Sequence, residues 1–431
     1  MELTDFDCNQ FIAILQEELV PALGCTEPIA IAYAGAHARA LLGTIPDRVC
    51  IKSSGNIIKN VKSVTVPNSG NMKGIPAAAA IGIIGGNPDK GLEVLADITE
   101  ADIARTKEFL EKVPCKVSLL DTVASLHFIV EVFAGADSAS VEIIHQHTNI
   151  VHTTKNGKDV LSVPFDPASA NAALTDRSGL SVKKILEFAD TVDLDRVRPV
   201  LERQIEYNTR IAQEGLNHRY GINAGANLLE AAEAEQAVTL KIRAQAAAAA
   251  GSDARMSGCT LPVVTNSGSG NQGLTASLPV IVFAEEKKLP HDQLLRGLLV
   301  SNLIAIHQKT RIGRLSAYCG AVSAGCGSGA AVTYLSGGSY EQVCETITNT
   351  LAVVSGIVCD GAKPSCASKI ATSVDAALNA HYLAMQNRVF EPGEGIVKGD
   401  IEKTIAGVGA VAADGMRETD KVILRIMVDD D

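Results

Sequence analysis

The apolar positions of this 431-residue chain change their period near residue 160. Before that point short segments alternate apolar and polar residues, at 48–52, 116–120, 127–133, 140–144 and 149–154, the last followed by the turn Lys155-Asn-Gly-Lys158. Alternation with period two, joined by Gly and Asn turns, predicts an antiparallel sheet with one wet face. Helical spacing predicts helices over 7–20 and 28–42 in the same part of the chain. A run of about 12 apolar and small residues over 75–86 predicts a buried helix, too short for the roughly 20 residues of a membrane span. From about Ser178 the alternation gives way to Ala-rich segments of helical period: 184–190, 197–214, 227–250, 291–308, 327–335, 340–355 and 367–385. The pattern predicts an α+β N-terminal domain over 1–160 followed by a mainly α-helical C-terminal domain over 176–431, with the polar, Pro-containing stretch 156–175 as the linker.

Composition narrows the function classes. Charged residues make up 20% of the chain, aromatics 4%, and there is no tryptophan, so close helix packing is favoured over aromatic stacking platforms. A formal net charge of −11 offers no basic face for a phosphate backbone, and nucleic acid is excluded as a partner. The opening Met1-Glu-Leu-Thr-Asp-Phe-Asp has no basic segment followed by an apolar run, which predicts a cytoplasmic protein. Ten cysteines in that compartment point to metal binding, catalysis or simple burial rather than disulfides.

Three of those cysteines sit in contexts punctuated by glycine and proline: Cys25 in Leu23-Gly-Cys-Thr-Glu-Pro28, Cys319 in Ala317-Tyr-Cys-Gly320, and Cys359 in Val358-Cys-Asp-Gly361. Cys366 follows at Pro364-Ser-Cys366. Soft thiolates presented on turns can converge on one metal centre, iron-sulfur or zinc, whereas small buried hydrophobes are the alternative. Cys8 and Cys115 read as packing or surface thiols. Glu27, two residues beyond Cys25, is either a proton carrier or the acidic residue of a helix start. His145 and His147, two apart on a predicted strand with His152 nearby, suggest either a zinc pair or a packed face.

Three loops rich in small polar residues complete the candidates: Ser53-Ser-Gly-Asn56, Asn68-Ser-Gly-Asn71 and Thr265-Asn-Ser-Gly-Ser-Gly-Asn-Gln-Gly273. Backbone N–H groups freed by glycine, with Ser, Thr and Asn donors, suit a small carboxylate or phosphate, although ordinary turns share the composition. Gly268, Gly270 and Gly273 also match the dinucleotide fingerprint formally. The helical segments beyond Leu274 leave no βαβ crossover, so a nicotinamide site is not expected.

The run Pro21-Ala-Leu-Gly-Cys-Thr-Glu-Pro-Ile-Ala30, the Ser53–Asn56 and Asn68–Asn71 loops and the step from Cys319 to Cys359 resemble the L-cysteine desulfidase family, related to the iron-sulfur L-serine dehydratase alpha chain. From Asp176-Arg-Ser-Gly-Leu180 to Ser373 the likeness is to the dehydratase alpha chain. The resemblance implies a [4Fe-4S] enzyme that splits L-cysteine into pyruvate, ammonia and hydrogen sulfide without pyridoxal phosphate. It implies Cys25, Cys319 and Cys359 as cluster ligands, with Cys366 matching a further dehydratase ligand at a shorter spacing. It also implies that Ser53, Ser54, Gly55, Asn56, Asn68, Ser69, Asn71 and Thr265, Asn266, Ser267, Gly268, Ser269, Gly270 hold a small amino-acid substrate. Glu27 and Lys59 are the candidate bases. The chain ends in Asp429-Asp-Asp431 and lacks the C-terminal cysteine that some dehydratases place on their cluster. L-Serine dehydratase is the alternative activity and a non-catalytic iron-sulfur sensor a further one, and a homo-oligomer stays open.

Overall fold

A computed structural model describes residues 3–62, 64–167, 174–313 and 316–428. The terminal Asp429-Asp-Asp431 and part of the expected linker, 168–173, lie outside the described residues. The first part of the chain runs α1 (Asp5–Glu18), β1 (Pro21–Leu23), α2 (Thr26–Leu42), β2 (Arg48–Ser53), α3 (Gly55–Val61), α4 (Gly74–Gly85), α5 (Glu100–Lys112) and β3 (Cys115–Leu119). Strands β4 (His127–Ala134), β5 (Asp137–Ile144), β6 (Ile150–Lys155) and β7 (Lys158–Ser162) follow. The second part is helical: α6 (Val182–Thr191), α7 (Arg198–Asn217), α8 (Ala224–Ala234), α9 (Leu240–Met256), then β8 (Pro262–Val264) and α10 (Gly270–Glu286). It closes with α11 (His291–Ile312), α12 (Gly320–Leu335), α13 (Tyr340–Val354), α14 (Cys366–Ala384), α15 (Ile401–Ala410) and α16 (Arg417–Val428). The architecture is thus α+β followed by mainly helical, as the periodicity predicts.

Six strands form one sheet in the order β3-β2-β4-β5-β6-β7. Every pairing is antiparallel except β2 with β3, which is parallel because α3, α4 and α5 carry the chain between those two strands. Strand β7 falls where the sequence predicts linker; its side chains are all exposed, so no apolar alternation marks it. The inner face, with Ile51, Phe128, Val130 and Val141, packs on α2 and α4. These two helices approach closely: a Cβ on Gly82 would lie 2.1 Å from the Ala32 carbonyl oxygen, so only glycine fits.

The larger core gathers α7, α9, α10, α11, α12 and α14, and α1 from the start of the chain joins it through Phe11, Ile14 and Leu15. Close contact again needs a missing side chain, since a Cβ on Gly327 would sit 2.4 Å from the Ser301 carbonyl oxygen. The Ala- and Gly-rich composition and the scarcity of aromatics follow from this geometry. The single helix predicted over 227–250 is instead two, α8 and α9, parted where Gln236 adopts a positive φ of 53° and Thr239 caps α9 by accepting from the Ile242 N–H. Among the described residues no helix is long and apolar enough to cross a membrane.

Candidate active site

One cleft, of about 100 Å³, is lined by Cys25, Cys319, Cys359 and Cys366 together. Two small antiparallel pairings account for the convergence. Pairing of β1 with β8, Leu23 opposite Pro262, holds the Cys25 segment against the loop after β8, where the Thr26 hydroxyl donates to Gly268 O at 3.0 Å. A bridge between Tyr318 and Val358 places Cys319 N–H on Ile357 O at 3.0 Å and Cys359 N–H on Ala317 O at 2.6 Å. Cys25 and Cys319 are the N-caps of α2 and α12, and Cys366 opens α14. Unpaired N–H groups and the dipole at a helix start favour an anionic sulfur.

Burial works against that charge. It pushes the Cys319 thiol up to about 12, with the neighbouring Cys359 and Cys366 sulfurs adding to the shift. Burial likewise raises Cys366, helped by Cys359, and lifts Cys25 well above its ordinary value, helped by Glu27. Thiolates that repel each other in a dry cleft are stabilised by a cationic centre among them. Among the described residues no three His, Cys, Asp or Glu side chains gather closely enough for a single metal ion. The donor set is soft sulfur, three sulfurs at helix starts and one beside a bridge, the ligand type that both zinc and iron-sulfur centres take.

Glu27 stands in the first turn of α2 at the cleft wall. Its Oε2 accepts from the Cys25 thiol at 3.0 Å, with Thr26 Oγ1 3.1 Å away as an alternative donor to the Gly268 contact, and its Oε1 accepts from Asn60 Nδ2 at 3.0 Å. Burial alone would raise its pKa; the positive charges of His147 and Arg255 and the Cys25 hydrogen bond more than offset that and hold it below its ordinary value. Lys59, 3% exposed on α3, also lines the cleft, forms an ion pair with Asp420 of α16 and donates to Cys359 O at 3.4 Å.

The polar loops divide. Asn56 faces the cleft, as do Ser267, Gly268 and Ser269, whereas Ser54 and Gly55 line a neighbouring depression against α16. Ser53 ends β2 with its hydroxyl buried, and Thr265, Asn266 and Gly270 lie behind the wall: Thr265 Oγ1 donates to Glu18 O at 2.8 Å and Asn266 Nδ2 to Asn302 Oδ1 at 2.9 Å. Asn68, Ser69 and Asn71 are absent from the wall and close a turn, with Asn68 Nδ2 on Leu95 O at 2.8 Å and Ser69 Oγ on Val66 O at 2.7 Å. The glycine fingerprint does form a strand-turn-helix, but β8 belongs to a two-stranded sheet in which it pairs antiparallel with β1, so it starts no βαβ crossover.

The histidines also differ from the expected strand pair. His145 and His147 lie in the connection after β5, where His145 takes a positive φ of 66° and binds the Asp166 carbonyl, while the buried His147 reaches the cleft. His152 sits apart on β6 beside Glu142 and Asp159. Asn271 and Gln272, from the end of the 265–273 loop, also line the cleft, whereas Asn60, Arg255, Lys309 and Tyr318 in the same wall were not singled out by any sequence motif. A charged residue ending an Ala-rich buried helix was the available signal for Arg255.

The profile of the serine dehydratase alpha chain family matches residues 89–425, a span that holds Cys319, Cys359 and Cys366 and leaves Cys25 outside. A UPF0597 protein of Treponema denticola is 57% identical over the full length of both chains. Another UPF0597 protein, of Lachnoclostridium phytofermentans, is 54% identical across 97% of this chain and 99% of its own, and one of Oleidesulfovibrio alaskensis is 41% identical across 97% and 98%. By the extent of these matches the chain belongs to the serine dehydratase alpha chain family, among its UPF0597 relatives.

Proposed function

We propose that the protein is an L-cysteine desulfidase, a lyase of the serine dehydratase type that performs β-elimination on a small amino acid without pyridoxal phosphate. The observation that carries this reading is the meeting of four cysteines, an ionised Glu27 and a set of polar side chains in one cleft. The family is generally associated with iron-sulfur chemistry. Cys25, Cys319 and Cys359 would hold a [4Fe-4S] cluster, with Cys366 beside them, and the bound cluster would supply Lewis acidity toward the substrate's β-substituent.

Glu27 is the proton acceptor. Its carboxylate is kept charged by the positive charges of His147 and Arg255 and by the Cys25 hydrogen bond, which together outweigh burial, and it lines the cleft. Lys59 is engaged by Asp420 and serves to fix α16 over α3. Transfer of the α-proton to Glu27 forms the Cα–Cβ double bond as the Cβ–S electron pair leaves with sulfur. The aminoacrylate released takes up water to give pyruvate and ammonia. Burial of the cleft walls holds the substrate against Glu27 and limits competing water.

L-Serine is the second reading, supported by the family that the chain belongs to. The two amino acids differ in the leaving atom: a thiolate departs with its proton already lost, whereas a hydroxyl needs acid assistance. Anaerobic release of pyruvate and sulfide should be compared at equal concentrations of the two, with and without added pyridoxal phosphate. A larger kcat/KM for L-cysteine is expected. A larger one for L-serine moves the assignment to dehydratase, and activity that requires pyridoxal phosphate overturns both. Iron-loaded protein that acts on neither amino acid would favour a sensor.

A further inference from the structure

Arg255 closes α9 and is 2% exposed, yet among the described residues it makes no ion pair. Its Nη1 lies 4.0 Å from Met256 Sδ, and its buried Nε has no hydrogen-bond partner. The guanidinium lies against the start of α10, where a Cβ on Gly270 would come 2.4 Å from Arg255 Nε. Glycine at 270 therefore makes room for the charged group, which lines the cleft. Glu27 shares the cleft with Arg255 and feels its charge but is not in ion-pair contact with it, and a buried guanidinium with no carboxylate in contact is expensive to maintain unless a ligand completes it; its planar fork matches a carboxylate.

Acceptors stand in the same wall. Asn60 Nδ2 is committed to Glu27, which fixes Asn60 Oδ1 as an acceptor, and that atom is buried without a partner. Asn271 Oδ1 and Gln272 Oε1 are also buried and unpartnered, and all three residues line the cleft. One unmet cationic donor and three unmet neutral acceptors describe the complement of a zwitterion.

We propose that Arg255 binds the α-carboxylate of the substrate and that Asn60, Asn271 and Gln272 receive its α-ammonium, so the cleft selects small α-amino acids over simple acids or amines. This moves carboxylate recognition from the Ser/Gly loops to a helix-borne arginine, and it rests on the lyase reading for which amino acid is bound.

The test uses full-length, anaerobically prepared, iron-loaded protein and two non-substrates: 3-mercaptopropionate, which keeps the carboxylate, and 2-aminoethanethiol, which keeps the amine. Binding is measured by calorimetry. Arg255→Met should weaken 3-mercaptopropionate by roughly 10- to 100-fold while 2-aminoethanethiol changes by less than about twofold, as expected for one lost charge-assisted contact. Arg255→Lys keeps the charge without the fork and should show the same selectivity at a smaller amplitude, so it decides the matter if Arg255→Met does not fold. Equal weakening of both probes, or of neither, overturns the assignment. Selective loss in a protein that eliminates from neither amino acid would remove the lyase reading and leave Arg255 as the carboxylate site. Turnover with unchanged KM in both variants would do the reverse.

Discussion

Lys59 and Asp420 form an ion pair that ties α3, inside the sheet-bearing part of the chain, to α16 at its far end. The ammonium is buried and the carboxylate half-buried. Leu424 reinforces the contact, for a Cβ on Gly55 would lie 2.4 Å from its Cδ2, and Lys62 donates to Met427 O at 2.7 Å. Asp420→Ala strands a buried cation and should lower stability by about 1–3 kcal/mol. The same change should expose the α16 segment to limited proteolysis, and chemical denaturation with peptide mapping of the fragments checks both. A variant as stable and as resistant as the parent would show that α16 is held by other contacts.

Cys25→Ser, Cys319→Ser and Cys359→Ser should each abolish the visible absorbance and the acid-labile sulfide of anaerobically reconstituted protein. Cys8→Ser and Cys115→Ser, whose thiols do not line the cleft, should leave about one four-iron cluster per chain. Stoichiometric zinc without sulfide in the parent protein would contradict the cluster altogether. Cys366→Ser separates a three-ligand set from a four-ligand set; retained sulfide together with turnover is the expected result.

Glu27→Gln preserves shape and the Asn60 contact while removing the charge that accepts the proton. Turnover should drop by about 10²- to 10⁴-fold with KM and iron content little changed. A large change in KM with kcat intact would instead make Glu27 a substrate-binding group.

Period-two alternation made β2, β4, β5 and β6 legible, because a sheet with one wet face writes its register into side-chain polarity. Exposed β7 carries no such mark, and the seven-residue α3 hides in Ser53-Ser-Gly-Asn56, which reads as a loop though Ser54 is a helix N-cap. Cys25, Cys319 and Cys359 stood out through their Gly- and Pro-marked turns; Cys25 and Cys319 cap helices, Cys359 follows the bridge at Val358, and all three line the cleft. The Asn68–Asn71 loop has the same composition as a binding loop but serves its own turn, and composition cannot separate the two. Arg255 stayed hidden because α9 is buried on nearly every side over its last turns, so period alone does not tell which neighbour a side chain meets.

Gly24 combines two constraints at the Cys25 turn. Its φ is +51°, a left-handed conformation, and a Cβ there would fall 2.1 Å from Pro67 Cγ. Gly24→Ala should therefore displace Cys25 and reduce bound iron before it reduces helix content. Circular dichroism beside iron analysis reads the two effects separately, and full iron loading in the variant would show that the turn adapts.

Two buried groups in the helical core should impose opposed pH slopes on stability. Burial raises Asp253, which accepts the Gly225 N–H at 2.9 Å, to about 6, so the folded state keeps a proton that the unfolded chain releases near its ordinary value of 3.8. Stability from this group falls as pH rises between those values. His381, bound to Thr333 Oγ1 at 2.9 Å, is pushed by burial from 6.5 down to about 4, so between these values the unfolded chain takes up a proton that the folded state refuses. Stability from this group rises with pH over that window, and the two largely cancel in the parent. Asp253→Asn removes the falling slope alone. Relative to the parent, the variant should gain on the order of 1–2 kcal/mol of stability between pH 4 and pH 6. Denaturant midpoints taken at half-unit steps of pH check this, and parallel curves for the two proteins would mean that Asp253 is ionised without penalty in the folded core.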